Sequence, residues 1–415
     1  MKRIFFFIFF ALCFSFEVSA YDAKIDGIYY NLQNSNKTAT VTYQKKENRY
    51  INGKSSECYS SDYPEKVVIP DSITYNNNTY CVTSIGDHAF HSVTPLAYGV
   101  SCNSSLTSVT IPNSVKTIND YAFYGCGKLT SVTIPESVTS IGSLVFYGCG
   151  RLNSVTIPNS VTYIGDDAFY GCGLTSIVIP YGIKYIRNGT FFQCRNLESV
   201  TIPNSVISIG SSAFYECEKL TSVTIPEGVT SIGARAFYYC HNLTSVNIPK
   251  NIKKIEESTF HSTAISCITL PEGLEEIGSW AFYGTYLTSI VIPENVKSIG
   301  YKAFRECRQL KDVYSFSHKV PATGESCFEE VPLTDATLHI PSGSLEAYRN
   351  AKQWRDFGSI IALTSEELVP VDYIPNDVAP QIVAVYDING RKHINIQKGL
   401  NIVKYNNGEI RKIFK

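Results

Sequence analysis

The chain has 415 residues, with 36 Lys and Arg against 37 Asp and Glu and a formal net charge of -1. That balance carries no basic footprint for a nucleic acid, so nucleic acid is not expected among the partners. Two or three globular domains are the ordinary expectation at this length, unless the chain is built of repeats that grow in one direction and escape the usual core-size limit.

In chain order, Lys2 and Arg3 precede an apolar run over residues 4–16, and Val18-Ser19-Ala20 supplies the small residues a signal peptidase reads. Residues 1–20 are therefore expected to be a signal peptide cleaved after Ala20. The run is shorter than the roughly 20 residues a spanning helix needs. Cys13 offers a lipidation alternative, for which Leu12 is a poor preceding residue. Residues 21–63 follow, with Tyr29-Tyr30 and the alternation from Ala39 to Tyr43 predicting a β hairpin that caps the first turn.

Residues 64–330 repeat. Prolines at 112, 135, 158, 180, 203, 226, 249, 271 and 293 stand 22 or 23 apart. Each follows a motif such as Leu129-x-x-Val132-x-Ile134, in which apolar residues alternate with Ser131 and Thr133 as in a strand with one buried face. Proline ends the strand, having no N–H for a ladder. Val138 and Ile141 turn back inside, Gly142 permits a tight corner, and pairs such as Ala122-Phe123 and Ala168-Phe169 plug the core. One repeat cannot bury these residues alone, whereas stacked neighbours can. A period of about 20 to 29 headed by L-x-x-L-x-L defines a leucine-rich repeat solenoid. The expected fold is a β-rich rod or arc with one parallel strand per repeat joined by short turns or 3-10 segments. Nine regular repeats would extend about 40 to 45 Å.

Of thirteen cysteines, one lies in the leader. In an oxidising compartment the others invite a disulfide or metal reading. Cys126, Cys149, Cys172, Cys194, Cys217, Cys240 and Cys307 stand three residues after a core phenylalanine, in a slot that also takes Val93, Thr263, Thr285 and Val331. Shared size makes this a packing column of small thiols. Parallel side chains one strand apart do not converge as zinc ligands must, so no metal is expected there. Neighbouring Cα atoms still fall within disulfide range. Cys58, Cys81 and Cys102 fall outside the column, near the solenoid start, and are candidates for a cap disulfide. Cys267 replaces the strand serine and reads as an exposed thiol.

Residues 92–105 interrupt the spacing as a loop insertion, either a tolerated loop or a binding edge. In the C-terminal cap over residues 331–369, Leu338-His339-Ile340-Pro341 is the last recognisable strand. Leu345, Tyr348, Trp354 and Phe357 can share one face of an amphipathic helix over the open end. Residues 370–415 begin with Pro370, Pro375 and Pro380 as a stiff spacer. Strands at residues 382–386 and 400–403 then flank the turn at Asp387-Ile388-Asn389-Gly390. The tail is basic, through Arg391, Lys392, Lys398, Lys404, Arg411, Lys412 and Lys415.

The repeat at residues 152–172, Leu-x-Ser-Val-Thr-Ile-Pro-x-Ser-Val-Thr-x-Ile-Gly-x-x-Ala-Phe-x-x-Cys, resembles the BspA-like leucine-rich repeat surface proteins of Bacteroidetes and some protozoa. The resemblance spans residues 67–357 and implies a cell-surface adhesin that binds host matrix or plasma proteins or other microbes. The tail, from Val385-Tyr-Asp-Ile-Asn-Gly-Arg391 to Ile410-Arg-Lys-Ile-Phe-Lys415, resembles type IX secretion sorting domains. That likeness implies export across a Gram-negative outer membrane, with a transport receptor reading the tail and the tail being cleaved.

The strand face would present Thr133, Thr156, Thr201 and Thr224 beside Ser131, Ser154, Ser199 and Ser222 as an uncharged hydroxyl wall, which is either a binding face or a solvated sheet of good β-formers. A second surface follows the core phenylalanines through Tyr147, Tyr170, Tyr215 and Tyr238, offering aromatic area for a partner or a shield for the turn edge. The seven histidines form no HExxH motif or convergent cluster, and His88 and His91 beside Phe90 read as turn residues. No catalytic residue or cofactor is expected. The leading reading is a secreted or surface-displayed adhesin that binds extracellular proteins or cell-surface receptors. Alternatives are a glycan-binding module using the tyrosine row and a structural surface-layer component. The membrane enters only through the secretion or anchoring machinery.

Overall fold

The computed structural model describes residues 21–51, 54–60, 63–91, 94–96, 99–101, 105–363, 382–386, 392–393, 400–405 and 410–414. The expected signal peptide, Cys102 and the spacer prolines lie outside the described residues.

The repeats wind into a β-solenoid of about eleven turns. Each regular turn contributes two short parallel strands. The first carries the expected alternation: Lys66–Val68, Ser108–Thr110, Ser131–Thr133 and Ser154–Thr156 pair in register, Val109 opposite Val132 and Val132 opposite Val155. The second was not anticipated. Thr117–Ile118, Ser140–Ile141 and Tyr163–Ile164 form their own parallel sheet on Asn78–Ile85. With two residues and one inward side chain each, these strands show no period-2 pattern along the chain.

The phenylalanine turn closes the third side with a backbone ladder. The N–H groups of Tyr121, Phe123 and Gly125 donate to the carbonyls of Ser143, Val145 and Tyr147 in the next turn, at 2.9, 2.9 and 2.7 Å. This path needs left-handed backbone twice per turn. Gly125, Gly148 and Gly171 supply one position at φ 73°, 70° and 64°, and Gln193 and Glu216 adopt it at 55° and 53°. A residue with a Cβ pays roughly 1 to 2 kcal/mol there, which the inter-turn bonds offset.

Inside the coil, Phe90, Phe123, Phe146, Phe169, Phe191, Phe214, Phe237, Phe260, Phe282, Phe304 and Phe328 form an uninterrupted column. Successive centroids are 5.0 to 5.7 Å apart. Such pairs add about 0.5 to 1.5 kcal/mol each beyond their burial.

The corner glycine serves close approach rather than a special dihedral. A Cβ on Gly142 would overlap Asp120, and one on Gly165 would overlap the Ser143 backbone of the preceding turn. Where Arg187 and Glu256 occupy this corner, the second sheet is interrupted. It ends at Tyr163–Ile164, resumes from Tyr185–Ile186 to Ser231–Ile232, and resumes again at Lys254–Ile255. Asn119 takes the same corner without a break, its N–H still reaching the Ile85 carbonyl at 2.9 Å. The 22-residue spacings arise where the link after the small-residue slot loses one residue, at Cys172-Gly173-Leu174, Thr263-Ala264-Ile265 and Thr285-Tyr286-Leu287.

Aromatic rings close both ends of the core. At the N-terminal end Ile28–Gln33 pairs antiparallel with Thr38–Thr42, which lies parallel to Asn78–Ile85. Tyr63 packs 4.5 Å from Phe90 and donates its hydroxyl to the Thr42 carbonyl. At the other end Trp354 and Phe357 meet Phe328 edge-on at 5.4 and 5.3 Å.

The expected amphipathic helix is shorter than its pattern. It spans Leu345–Asn350, Ala351 is extended, and Trp354 belongs to a 3-10 turn, Trp354–Asp356. Gln353, at φ 68°, leads into that 3-10 turn, and its side chain serves the last repeat. Its Oε1 accepts the Cys327 N–H and its Nε2 donates to the Gly324 carbonyl. One further strand, Ser359–Ala362, extends the first sheet beyond Thr337–Ile340. In the insertion, Thr94–Leu96 and Gly99–Ser101 form a small hairpin. The tail strands Ile382–Tyr386, Lys392–His393, Leu400–Tyr405 and Ile410–Phe414 form an antiparallel sheet.

Candidate binding surfaces

The cysteine column follows from the coil geometry. Cys126, Cys149, Cys172, Cys194, Cys217, Cys240 and Cys307 are buried. Each thiol donates to a phenylalanine carbonyl of the preceding turn, from Cys126 to Phe90 at 3.1 Å through Cys307 to Phe282 at 3.1 Å. Size sets the slot, as Val331 shows, and where cysteine fills it a weak donor is satisfied as well. Thr285 supplies a hydroxyl donor to the Phe282 carbonyl of its own turn. Burial pushes the Cys194 and Cys307 thiols up to about 12, which removes the thiolate that oxidation and metal binding require. Cys327 occupies the alanine position before Phe328 and is also buried. Cys81 is an exposed free cysteine, and Cys267 is exposed. The side chains of Cys58 and Cys102, the other candidates for a cap disulfide, lie outside the described residues.

On the first sheet Thr133, Thr156, Thr201 and Thr224 all face solvent beside Ser131, Ser154, Ser199 and Ser222. The wall has limits. Val178, 64 % exposed, stands opposite Thr201 in the threonine column. In the last turns that column becomes Val291, Tyr314 and His339, all buried, and Val291 and Tyr314 join Phe316 and Leu363 in a separate apolar cluster.

The tyrosine row is a stack. Tyr124, Tyr147, Tyr170, Phe192, Tyr215 and Tyr238 succeed one another at 4.5, 4.4, 4.5, 4.3 and 4.8 Å, with ring planes within 24° of parallel. His91 extends it at one end, and His261 then Tyr283 at the other. This geometry bears on the expectation of a sugar-stacking row on Tyr147, Tyr170, Tyr215 and Tyr238. A sugar stacks on a ring face, and here both faces of each ring are covered by neighbours. Burial pushes Tyr170 up to about 12 and lowers His261 to about 4, so this imidazole is neutral at ordinary pH. Tyr283 donates its hydroxyl to the Glu306 carboxylate.

His88 and His91 approach through their Nδ1 atoms at 3.1 Å and stack on Tyr121 and Tyr124. Among the described residues no three His, Cys, Asp or Glu side chains are grouped to hold a metal ion.

One surface escaped the sequence reading. On the second sheet Tyr163 and Tyr185 occupy the column that Ser140 and Ser208 occupy in neighbouring turns. They are 40 % and 52 % exposed, and Tyr181 at the adjoining corner is 74 % exposed. The Arg187 guanidinium lies 4.7 Å from the Tyr163 ring. The signal was available as departures from the column consensus, tyrosine for serine and arginine for the corner glycine.

Two strand ladders, a phenylalanine spine and capped ends define a leucine-rich repeat solenoid protein. Within that class the chain belongs to the BspA type leucine rich repeat region family, which matches residues 97–173, 162–287 and 275–352. Among solved structures it is similar to a leucine rich cell surface protein from Faecalibacterium prausnitzii A2-165, 26% identical over 81% of this chain and 93% of that one, TM-score 0.47. A leucine-rich repeat protein from Bacteroides ovatus is 26% identical over 82% and 100%, TM-score 0.40. The pneumococcal vaccine antigen PcpA is 18% identical over 82% and 98%, TM-score 0.51, a likeness of fold alone. No curated protein matches the chain.

Proposed function

We propose that this protein is a surface-displayed adhesin that binds extracellular proteins through the exposed face of its first sheet. The observation that carries the reading is the hydroxyl wall itself. Thr133 and Thr156 are fixed in register on a rigid rod, exposed and uncharged, with Thr201 and Thr224 in later turns of the same column. A preorganised face loses little entropy on binding, and Ser and Thr hydroxyls accept or donate to a partner's polar groups. Family membership supports a surface repeat protein, as does the description of the Faecalibacterium protein as a cell surface protein. Export is assigned to the leader at residues 1–20 and sorting to the tail sheet at residues 382–414, read by a type IX receptor.

The test is binding of the full chain to a panel of purified matrix and plasma glycoproteins. Changing Thr133, Thr156, Thr201 and Thr224 together to Glu is expected to weaken binding at least about tenfold by desolvation and charge repulsion. Equal binding by the quadruple variant would move the site off this face, and no binding to any member of the panel would sink the adhesin reading.

A further inference from the structure

Half of the large apolar side chains that the described surface leaves exposed gather in one place. Of the eight, Tyr163, Tyr181, Tyr185 and Ile207 fall within three successive turns on the second-sheet side. The Ile207 N–H donates to the Lys184 carbonyl at 2.9 Å, which sets Ile207 beside Lys184 in the adjacent turn. These rings differ from the stacked row, since among the described residues no aromatic neighbour covers Tyr181 or Tyr185.

Charge marks the patch as well. Further along this side of the coil two lysines are neutralised, while Lys116 and Lys253, in the Lys184 column, have no carboxylate within ion-pair distance among the described residues. Lys254 pairs with Glu256 and Glu276, and Lys297 pairs with Glu275 at 2.6 Å. Lys184 and Arg187 have no carboxylate within ion-pair distance among the described residues, and Asp166, in the neighbouring turn, instead accepts the Asn188 N–H. Arg187 also replaces the corner glycine and interrupts the sheet. The fold does not ask for an arginine there.

We infer that Tyr163, Tyr181, Tyr185 and Ile207, flanked by Lys184 and Arg187, form a docking surface for an acidic polypeptide segment of a protein partner. Exposed tyrosines supply rigid contact area, arginine pairs bidentately with carboxylates, and interface hot spots are enriched in these residues. The two unneutralised cations select an acidic occupant. The inference rests on the protein-binding reading but places a second contact on a different face, so the two can fail separately.

The probe is a random glutamate–tyrosine copolymer, with heparin and polysialic acid as acidic glycans, each titrated against the full chain at low and high salt. The copolymer is expected to bind, more weakly as salt rises. Tyr181→Ser with Tyr185→Ser should lower that affinity at least about tenfold, and Lys184→Ser with Arg187→Ser should remove most of the salt dependence. Tyr286→Ser with Tyr301→Ser, exposed elsewhere, should leave binding unchanged. Circular dichroism melts of each variant check the fold. No copolymer binding, equal binding by the tyrosine variant, or tyrosine-dependent binding of the glycans alone would overturn the inference. Loss of matrix-protein binding on the threonine variant with copolymer binding intact would leave both surfaces standing.

Discussion

The turn around Phe146 and the turn around Phe191 have the same core and different surfaces. Both bury the phenylalanine, and in both the thiol three residues later donates to a carbonyl of the turn before. The first presents Thr133, Glu136, Ser140 and Gly142, while the second presents Val178, Tyr181, Tyr185 and Arg187 at the corresponding positions. The second also follows the shortened link at Gly173, and neither sheet runs unbroken across that junction. Inward columns tolerate almost no change because each side chain is a neighbour's wall. Outward columns are free to vary, so chemistry peculiar to this chain collects where the outward pattern breaks.

Substitutions can break that comparison. The largest effect is expected in the spine: Phe169→Ala should destabilise by about 3 to 5 kcal/mol, whereas Tyr185→Ala should stay within about 0.5 kcal/mol. Denaturant unfolding measures both, and similar losses would contradict the division between inward and outward columns. One column then separates the two turns at the corner. Gly142→Ala should cost about 1 to 3 kcal/mol by forcing the Asp120 backbone away, and Arg187→Ala, where the sheet is already interrupted, should be near neutral.

A smaller loss is expected for Cys149→Val, under about 1.5 kcal/mol, since volume is nearly kept and a weak hydrogen bond is lost. Labelling with a thiol reagent should modify Cys81 and Cys267 in the native protein and the buried column only after unfolding. Rapid native labelling of Cys194 would overturn the burial argument.

The smallest effect is set by pH. Burial lowers His261 from its ordinary 6.5 to about 4, so between these values the unfolded chain binds the proton more readily than the folded one. The contribution of His261 is present above about pH 6.5 and declines as pH falls towards 4. Replacing it with the column's own residue, His261→Tyr, should flatten the melting temperature over that window relative to the parent. Identical profiles would remove His261 as a determinant.

Much of this was legible along the chain. Proline spacing, the Leu-x-x-Val-x-Ile alternation and the Ala-Phe pairs fix one repeat, and identical repeats have one way to stack. The buried thiol column followed from its register. The second strand was not legible because two residues leave no period. The separate Trp354 turn was not legible because Gln353 anchors it to the backbone of the last repeat, a contact between distant residues. The hydroxyl wall was foreseen as a face, and its interruption by Val178 is in the sequence itself, but its burial near Tyr314 depends on neighbouring turns.

The sequence by itself determined the solenoid, its repeat length and the inward columns, since these rest on local periodicity repeated until only stacking buries it. Tertiary structure decided the rest. It laid the tyrosine row ring upon ring, each ring face against a neighbour. It turned the corner glycine from a matter of dihedral freedom into one of contact between turns. It also laid the Arg187 guanidinium 4.7 Å from the Tyr163 ring, because closing the coil brings residues of successive turns into contact.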